Sequence, residues 1–155
     1  MKRQAGFSLI ELMITIALIG LLAMLAGPFT ISWSNSAQVR DAEGVLSQGI
    51  ARAKAHALRN RYGVIDAQPV AALCLDPNRR LSLHEAASAD SPASCSSAQI
   101  WSAQLPAQVS VQTAGATFSC LAFDSKAMVL ASGGCSTNQS FALAAGSEHV
   151  TFTLN

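Results

Sequence analysis

Gly6-Phe7-Ser8-Leu9-Ile10-Glu11-Leu12-Met13 opens the stretch on which the reading of this chain turns. It begins a run over residues 7–26 in which Ser8, Glu11 and Thr15 are the polar exceptions. As a helix, about 20 residues at about 1.5 Å each reach about 30 Å, the thickness of a bilayer's hydrocarbon core. Lys2 and Arg3 precede the run and hold that end in the cytoplasm by the positive-inside rule. An ordinary secretory signal has a shorter apolar region ending at a small-residue cleavage site, and it lacks a charge inside that region. Here the carboxylate of Glu11 stands within the apolar run, where burial in lipid is costly without a cationic partner. Two amines fit: the α-amino group created by cutting between Gly6 and Phe7, or the same group on a neighbouring copy displaced along a filament. Left unpaired near the interface, the carboxyl would protonate.

The remainder of the composition narrows the field. The 155 residues are 50% hydrophobic, 12% charged and 6% aromatic, with formal net charge +1, which suits one domain with a real core. The near balance of charge gives no global footprint for nucleic acid or an acidic membrane surface. Loss of residues 1–6 removes two of the ten cations, leaving eight against nine carboxylates and a net charge of −1.

The octapeptide closely resembles the type IV prepilin motif. That resemblance implies a leader at residues 1–6, cleavage between Gly6 and Phe7 by prepilin peptidase, N-methylation of Phe7, and a role for Glu11 in pairing with an adjacent subunit's amine. Gly20 and Pro28 fall where many pilins carry a glycine and a helix-disturbing proline, and are expected to serve assembly. The implied segments are a transmembrane or filament-core helix at 7–28, an amphipathic helix at 29–62 and a periplasmic β-rich domain at 63–155.

Beyond Gly27-Pro28, where a proline ring would kink or melt a helix, a polar stretch at 32–36 leads into a second helical pattern. Val39, Ala42, Leu46, Ile50, Ala53 and Ala57 recur at spacings of three and four, which gathers them on one face. Asp41 and Glu43 lie early, whereas Arg52, Lys54, Arg59 and Arg61 lie late, matching the helix dipole. Tyr62-Gly63 marks its end. The reading is one long helix to about Arg61, interrupted near Pro28, with its second half covering a sheet.

From residue 64 the pattern changes to short apolar runs between turn residues: 63–65, 70–75, 99–101, 109–112, 117–123, 128–131, 141–144 and 150–154. Residues 109–112 and 150–154 alternate with period two, as half-buried antiparallel strands do. The Ala- and Ser-rich stretch 82–98 reads as a long surface loop. Helix first and sheet afterwards gives an α+β pilin-like fold, a long N-terminal helix packed on an antiparallel sheet domain.

Cys74, Cys95, Cys120 and Cys135 lie in the part delivered to the oxidising periplasmic side. Four cysteines permit three connectivities, and free thiols are the alternative. Local pairing, Cys74 with Cys95 and Cys120 with Cys135, is favoured, each loop contributing about 3 kcal/mol in the chain-entropy picture. No Cys-x-x-Cys occurs and no histidine stands at zinc-finger spacing, so neither a metal nor any other cofactor is expected. His56, His84 and His149 are read in a basic helix, a loop and the last strand. The sequence contains no Gly-x-Ser-x-Gly elbow and no phosphate-cradling loop, which argues against an enzyme.

Two basic clusters, Arg52 to Arg61 on the helix and Arg79-Arg80 in a turn, read first as solvated faces. Arg59, Arg61, Arg79 and Arg80 are the candidate nucleic-acid contacts, although one Tyr and two Trp offer few stacking surfaces. Trp33 is expected at the membrane interface and Trp101 in the core or at a subunit contact.

Ala51-Arg52 with Ala55, then Arg59-Asn60, resembles the GspH/FimT/FimU group of minor pilins and pseudopilins, as does Phe123-Asp124-Ser125-Lys126-Ala127 ahead of apolar and Gly-rich segments. The resemblance implies a minor type IV pilin that primes or caps the pilus and supports twitching motility or adhesion. Its partners would be major and minor pilins, prepilin peptidase and the inner-membrane assembly platform. The alternatives are a type II secretion pseudopilin and a DNA-binding tip pilin. FimT-type DNA receptors carry an arginine motif near the C-terminus, whereas residues 148–155 here contain none.

Overall fold

The computed structural model describes residues 7–65 and 67–154. Its first element, α1 (Leu9–Arg59), is a 51-residue helix. Nine strands follow: β1 (Ala71–Leu75), β2 (Arg80–Glu85), β3 (Ala98–Gln104), β4 (Ser110–Thr113), β5 (Ala116–Thr117), β6 (Cys120–Phe123), β7 (Val129–Leu130), β8 (Ser140–Ala145) and β9 (Glu148–Thr153). The architecture is α+β and pilin-like. By contacts the chain divides into two units after Ser34.

Within the first unit the helix begins with the Ser8 carbonyl accepting from the amides of Glu11 and Leu12 at 3.1 Å each. The helix runs without a break through Pro28, so the expected interruption there is absent. Proline deletes one backbone donor, and the uninterrupted turns on either side carry the helix past that single loss.

In the second unit the helix face read from the sequence is the face that packs. Val39, Ala42, Leu46, Ile50, Ala53 and Ala57 are all buried. The alanines let the helix approach the sheet closely, and at Gly49 an added Cβ would crowd Leu73, Leu81 and Trp101. Two antiparallel sheets complete the unit, a five-stranded one in the order β3-β2-β1-β6-β7 and a four-stranded one in the order β5-β4-β8-β9. Leu73, Leu81, Leu83, Leu121 and Phe123 fill the first; Val111, Phe118, Phe141 and Leu143 fill the second. Phe118 meets Phe141 edge to face and Phe141 stacks on Phe152, both with ring centroids 5.3 Å apart, so one aromatic row runs from the core towards the outer strand.

The helix ends at Asn60, whose backbone is left-handed at φ 37°. Its side-chain amide donates to the Val64 carbonyl at 2.8 Å, and its Oδ1 accepts from the Val64 amide at 2.9 Å. This pair of bonds closes the turn into residues 63–65, which form no strand, contrary to the expectation.

The stretch 82–98 is likewise not one loop. It begins inside β2, where Ser82 and His84 are buried together with Leu81 and Leu83. Polar residues occupy those positions because their polar atoms are satisfied. His84 Nδ1 donates to the Ser97 carbonyl at 2.8 Å and Nε2 lies 3.0 Å from Ser82 Oγ, whose hydroxyl donates to the Cys74 carbonyl at 3.3 Å. His84 therefore lies in a strand, not a loop, and ties the residues before β3 to β2. A bulge at Ile100, between Gln99 opposite His84 and Trp101 opposite Leu83, marks the β2–β3 pairing.

Disulfides join Cys74 to Cys95 and Cys120 to Cys135, and no cysteine among the described residues is free.

Candidate functional site

The candidate site is the segment from Phe7 to the middle of α1. Its defining property is exposure on every side: Phe7, Leu9, Ile10, Leu12, Met13, Ile14, Ile16, Leu18, Ile19, Leu21 and Leu22 are all more than half exposed. A helix in water shows one apolar stripe and one polar face; a helix apolar all round is covered by lipid or by other helices. By length and composition it is the one helix among the described residues suited to cross a membrane. Thr15 spends its hydroxyl on the Leu12 carbonyl at 2.8 Å, which hides a polar atom from an apolar surround. Glu11 stands exposed in the first turn, and its carboxylate is the charge that any covering layer must accommodate. A Cβ added at Gly20 would meet nothing within 4 Å. Gly6 lies outside the described residues, as do the side chain of Pro28 and the cations Lys2 and Arg3.

The first 27 residues match the prokaryotic N-terminal methylation motif. The segment is a prepilin-type signal. No curated protein and no solved structure matched the chain. The motif supports a type IV pilin-like or pseudopilin protein and suggests processing by prepilin peptidase, and the apolar helix behind it is consistent with membrane insertion.

The arginines named as nucleic-acid candidates fall in separate places. Arg59 and Arg61 line one small cleft with His56, Tyr62, Val70 and Glu85. Arg61 also lies over the Tyr62 ring, 5.5 Å from its centroid. Arg79 lines a different groove and is half-buried, its guanidinium donating to the Val109 and Pro106 carbonyls. Arg80 is exposed and donates to Ser102 Oγ at 3.2 Å. Arg52, on the helix, sits over the Trp101 ring, 5.3 Å from its centroid. Thus Arg79 serves internal carbonyls, a use that sequence reading missed. Its left-handed backbone, φ 63°, is the local cause: the Asp76–Arg80 turn swings the side chain back under the 106–109 loop.

Proposed function

We propose that the chain is a minor type IV pilin of the GspH/FimT/FimU group. It is made as a precursor whose residues 1–6 form a leader, with its N-terminus in the cytoplasm and a single span at 7–28. Prepilin peptidase cuts between Gly6 and Phe7, and Phe7 is N-methylated. The amphipathic helix at 29–62 and the domain at 63–155 lie in the periplasm and then at the cell surface. Glu11 pairs with the amine of a neighbouring subunit, while Gly20 and Pro28 shape the packing of helices in the filament core.

The observation that carries this reading is the prepilin-type signal placed directly on a helix whose large apolar residues are exposed. Such a helix exchanges lipid for protein when the subunit leaves the membrane, so the action is mechanical assembly rather than catalysis. The subunit primes the pilus from a position at or near its tip, in contact with major and minor pilins and the inner-membrane platform, and supports twitching motility or adhesion. The same signal also serves type II secretion, so a pseudopilin at the tip of a short pseudopilus is the second reading. A DNA-receptor role is weaker, since Arg79 is engaged internally.

Cross-linking in membranes and in sheared filaments, followed by identification of captured chains, tests the assignment. Recovery with major and minor pilins supports the pilus reading. Recovery with secretion pseudopilins transfers the chain to the second.

A further inference from the structure

The two disulfides are neighbours on one rung of the five-stranded sheet. Cys74 on β1 lies directly opposite Cys120 on β6. The next rung, where the Leu75 amide donates to the Ser119 carbonyl at 2.7 Å, is a hydrogen-bonded pair, so the Cys74–Cys120 rung is the narrow, non-hydrogen-bonded kind whose side chains approach most closely. From this rung one disulfide reaches to Cys95, in the loop before β3, and the other to Cys135, beyond β7. The Sγ atoms of Cys95, Cys120 and Cys135 lie within 4.8 Å of one another, and Cys74 Sγ is bonded to the first of them. All four sulfurs therefore form a single cluster.

Access to it is one-sided. Cys74 and Cys120 are buried, Cys135 is half-buried and Cys95 is exposed. A cleft of about 400 Å³ opens over Cys95 and Cys135, walled by small uncharged residues that include Ala93, Ser94, Ser132 and Gly133. Among the described residues, no bulky side chain lines this cleft beside Cys95.

The geometry points to a thiol–disulfide exchange centre, in which a single external thiol, from a small thiol or a dithiol oxidoreductase, re-pairs all four cysteines. An external thiolate attacks Cys95 Sγ; a mixed disulfide forms there, the Cys74–Cys95 bond breaks, and Cys74 leaves as the thiolate. Cys74 then attacks Cys120 across the narrow rung, forming Cys74–Cys120 and releasing Cys135 as the thiolate. Cys135 attacks Cys95, forming Cys95–Cys135 and returning the external thiolate. Two disulfides exist before and after, no net electrons move, and the thiol is regenerated. Exchange rates follow thiolate availability and access to the attacked sulfur, and here the second and third attacks are intramolecular. The two states differ mechanically: in the first each loop is tied to the sheet, and in the second the two loops are tied to each other while β1 and β6 are stapled together.

The test uses the full chain in detergent with reduced glutathione well below one equivalent, quenched in acid and mapped by peptic digestion and mass spectrometry. Peptides joining Cys74 to Cys120 and Cys95 to Cys135 should appear in the folded chain, and faster than in the same chain unfolded in urea. A second measurement uses Cys74→Ser, which leaves one thiol among three clustered sulfurs. Thiol alkylation should label Cys120 and Cys135 as well as Cys95. Retention of the two original pairs at every time point, swapped pairs forming no faster than in urea, or label confined to Cys95 in the folded variant would each overturn the inference. The wild-type exchange decides the matter alone if the variant does not fold.

Discussion

Gly49 of α1 lies so close to Leu81 of β2 that a Cβ on the glycine would stand 2.9 Å from the leucine Cδ2, with Trp101 at 3.2 Å and Leu73 at 3.3 Å. The helix interior thus carries a residue of poor helix propensity because the sheet leaves no room for a better one. Gly49→Val should lower the unfolding free energy by about 1–3 kcal/mol through overpacking. Gly44, on the same helix, has nothing within 4 Å, so Gly44→Ala should raise stability by up to about 1 kcal/mol. Thermal unfolding followed by circular dichroism measures both, and equal effects at the two positions would contradict the close approach.

Asn60 supplies a different kind of constraint. Its side chain makes both bonds to Val64 while its backbone is left-handed. Asn60→Ala should cost about 2 kcal/mol, since it loses the bonds and strains the backbone, whereas Asn60→Gly should cost about 1 kcal/mol because only the bonds go. The ranking of the two denaturation midpoints at constant slope is the check.

Arg79 is expected to matter as a hydrogen-bond donor rather than as a surface charge. Arg79→Ala should destabilise the second unit by about 1–3 kcal/mol, leaving the Val109 and Pro106 carbonyls without that donor. Arg79→Lys keeps the charge and should not restore stability, because an ammonium cannot reproduce the planar fork. If lysine restores the midpoint fully, the carbonyl contacts do not account for the residue.

For the N-terminal segment, Glu11→Ala should leave cleavage largely intact and sharply reduce recovery in sheared filaments. A bulky residue in place of Gly6 should block processing, with Gly6→Ala tolerated. Immunoblots of membrane and filament fractions separate precursor, mature and assembled chains. Normal incorporation of the Glu11 variant would remove the pairing role.

Much of the fold was legible because two strong periodicities were present. The spacing of Val39, Ala42, Leu46, Ile50, Ala53 and Ala57 gave the packed helix face directly, and the alternation from Val150 to Leu154 gave β9, whose residues alternate in exposure. Strand β2 escaped because Ser82 and His84 occupy buried positions that an apolar pattern cannot reveal; their partners, the Cys74 and Ser97 carbonyls, are distant in sequence or in a neighbouring loop. Residues 63–65 misled in the opposite direction, since Val64 is buried as the closure of the Asn60 turn and not as part of a strand. In the candidate site, Glu11 and the apolar run could be read from residue types alone. The internal use of Arg79 could not, because it depends on a turn conformation and on a loop about 30 residues away.

Ser36 on the helix donates to a carboxylate oxygen of Glu148 in β9 at 3.0 Å, across 112 residues of chain, and the turn that leads into β9 places Gly146 against the side chain of Asn35. The first helical residues of the second unit are therefore held by its last hairpin. Until β9 is in place, Ser36 lacks its Glu148 contact and Asn35 lacks its Gly146 neighbour. Closure of the unit at this end waits on its final strand, and a chain interrupted before β9 leaves the latch unmade.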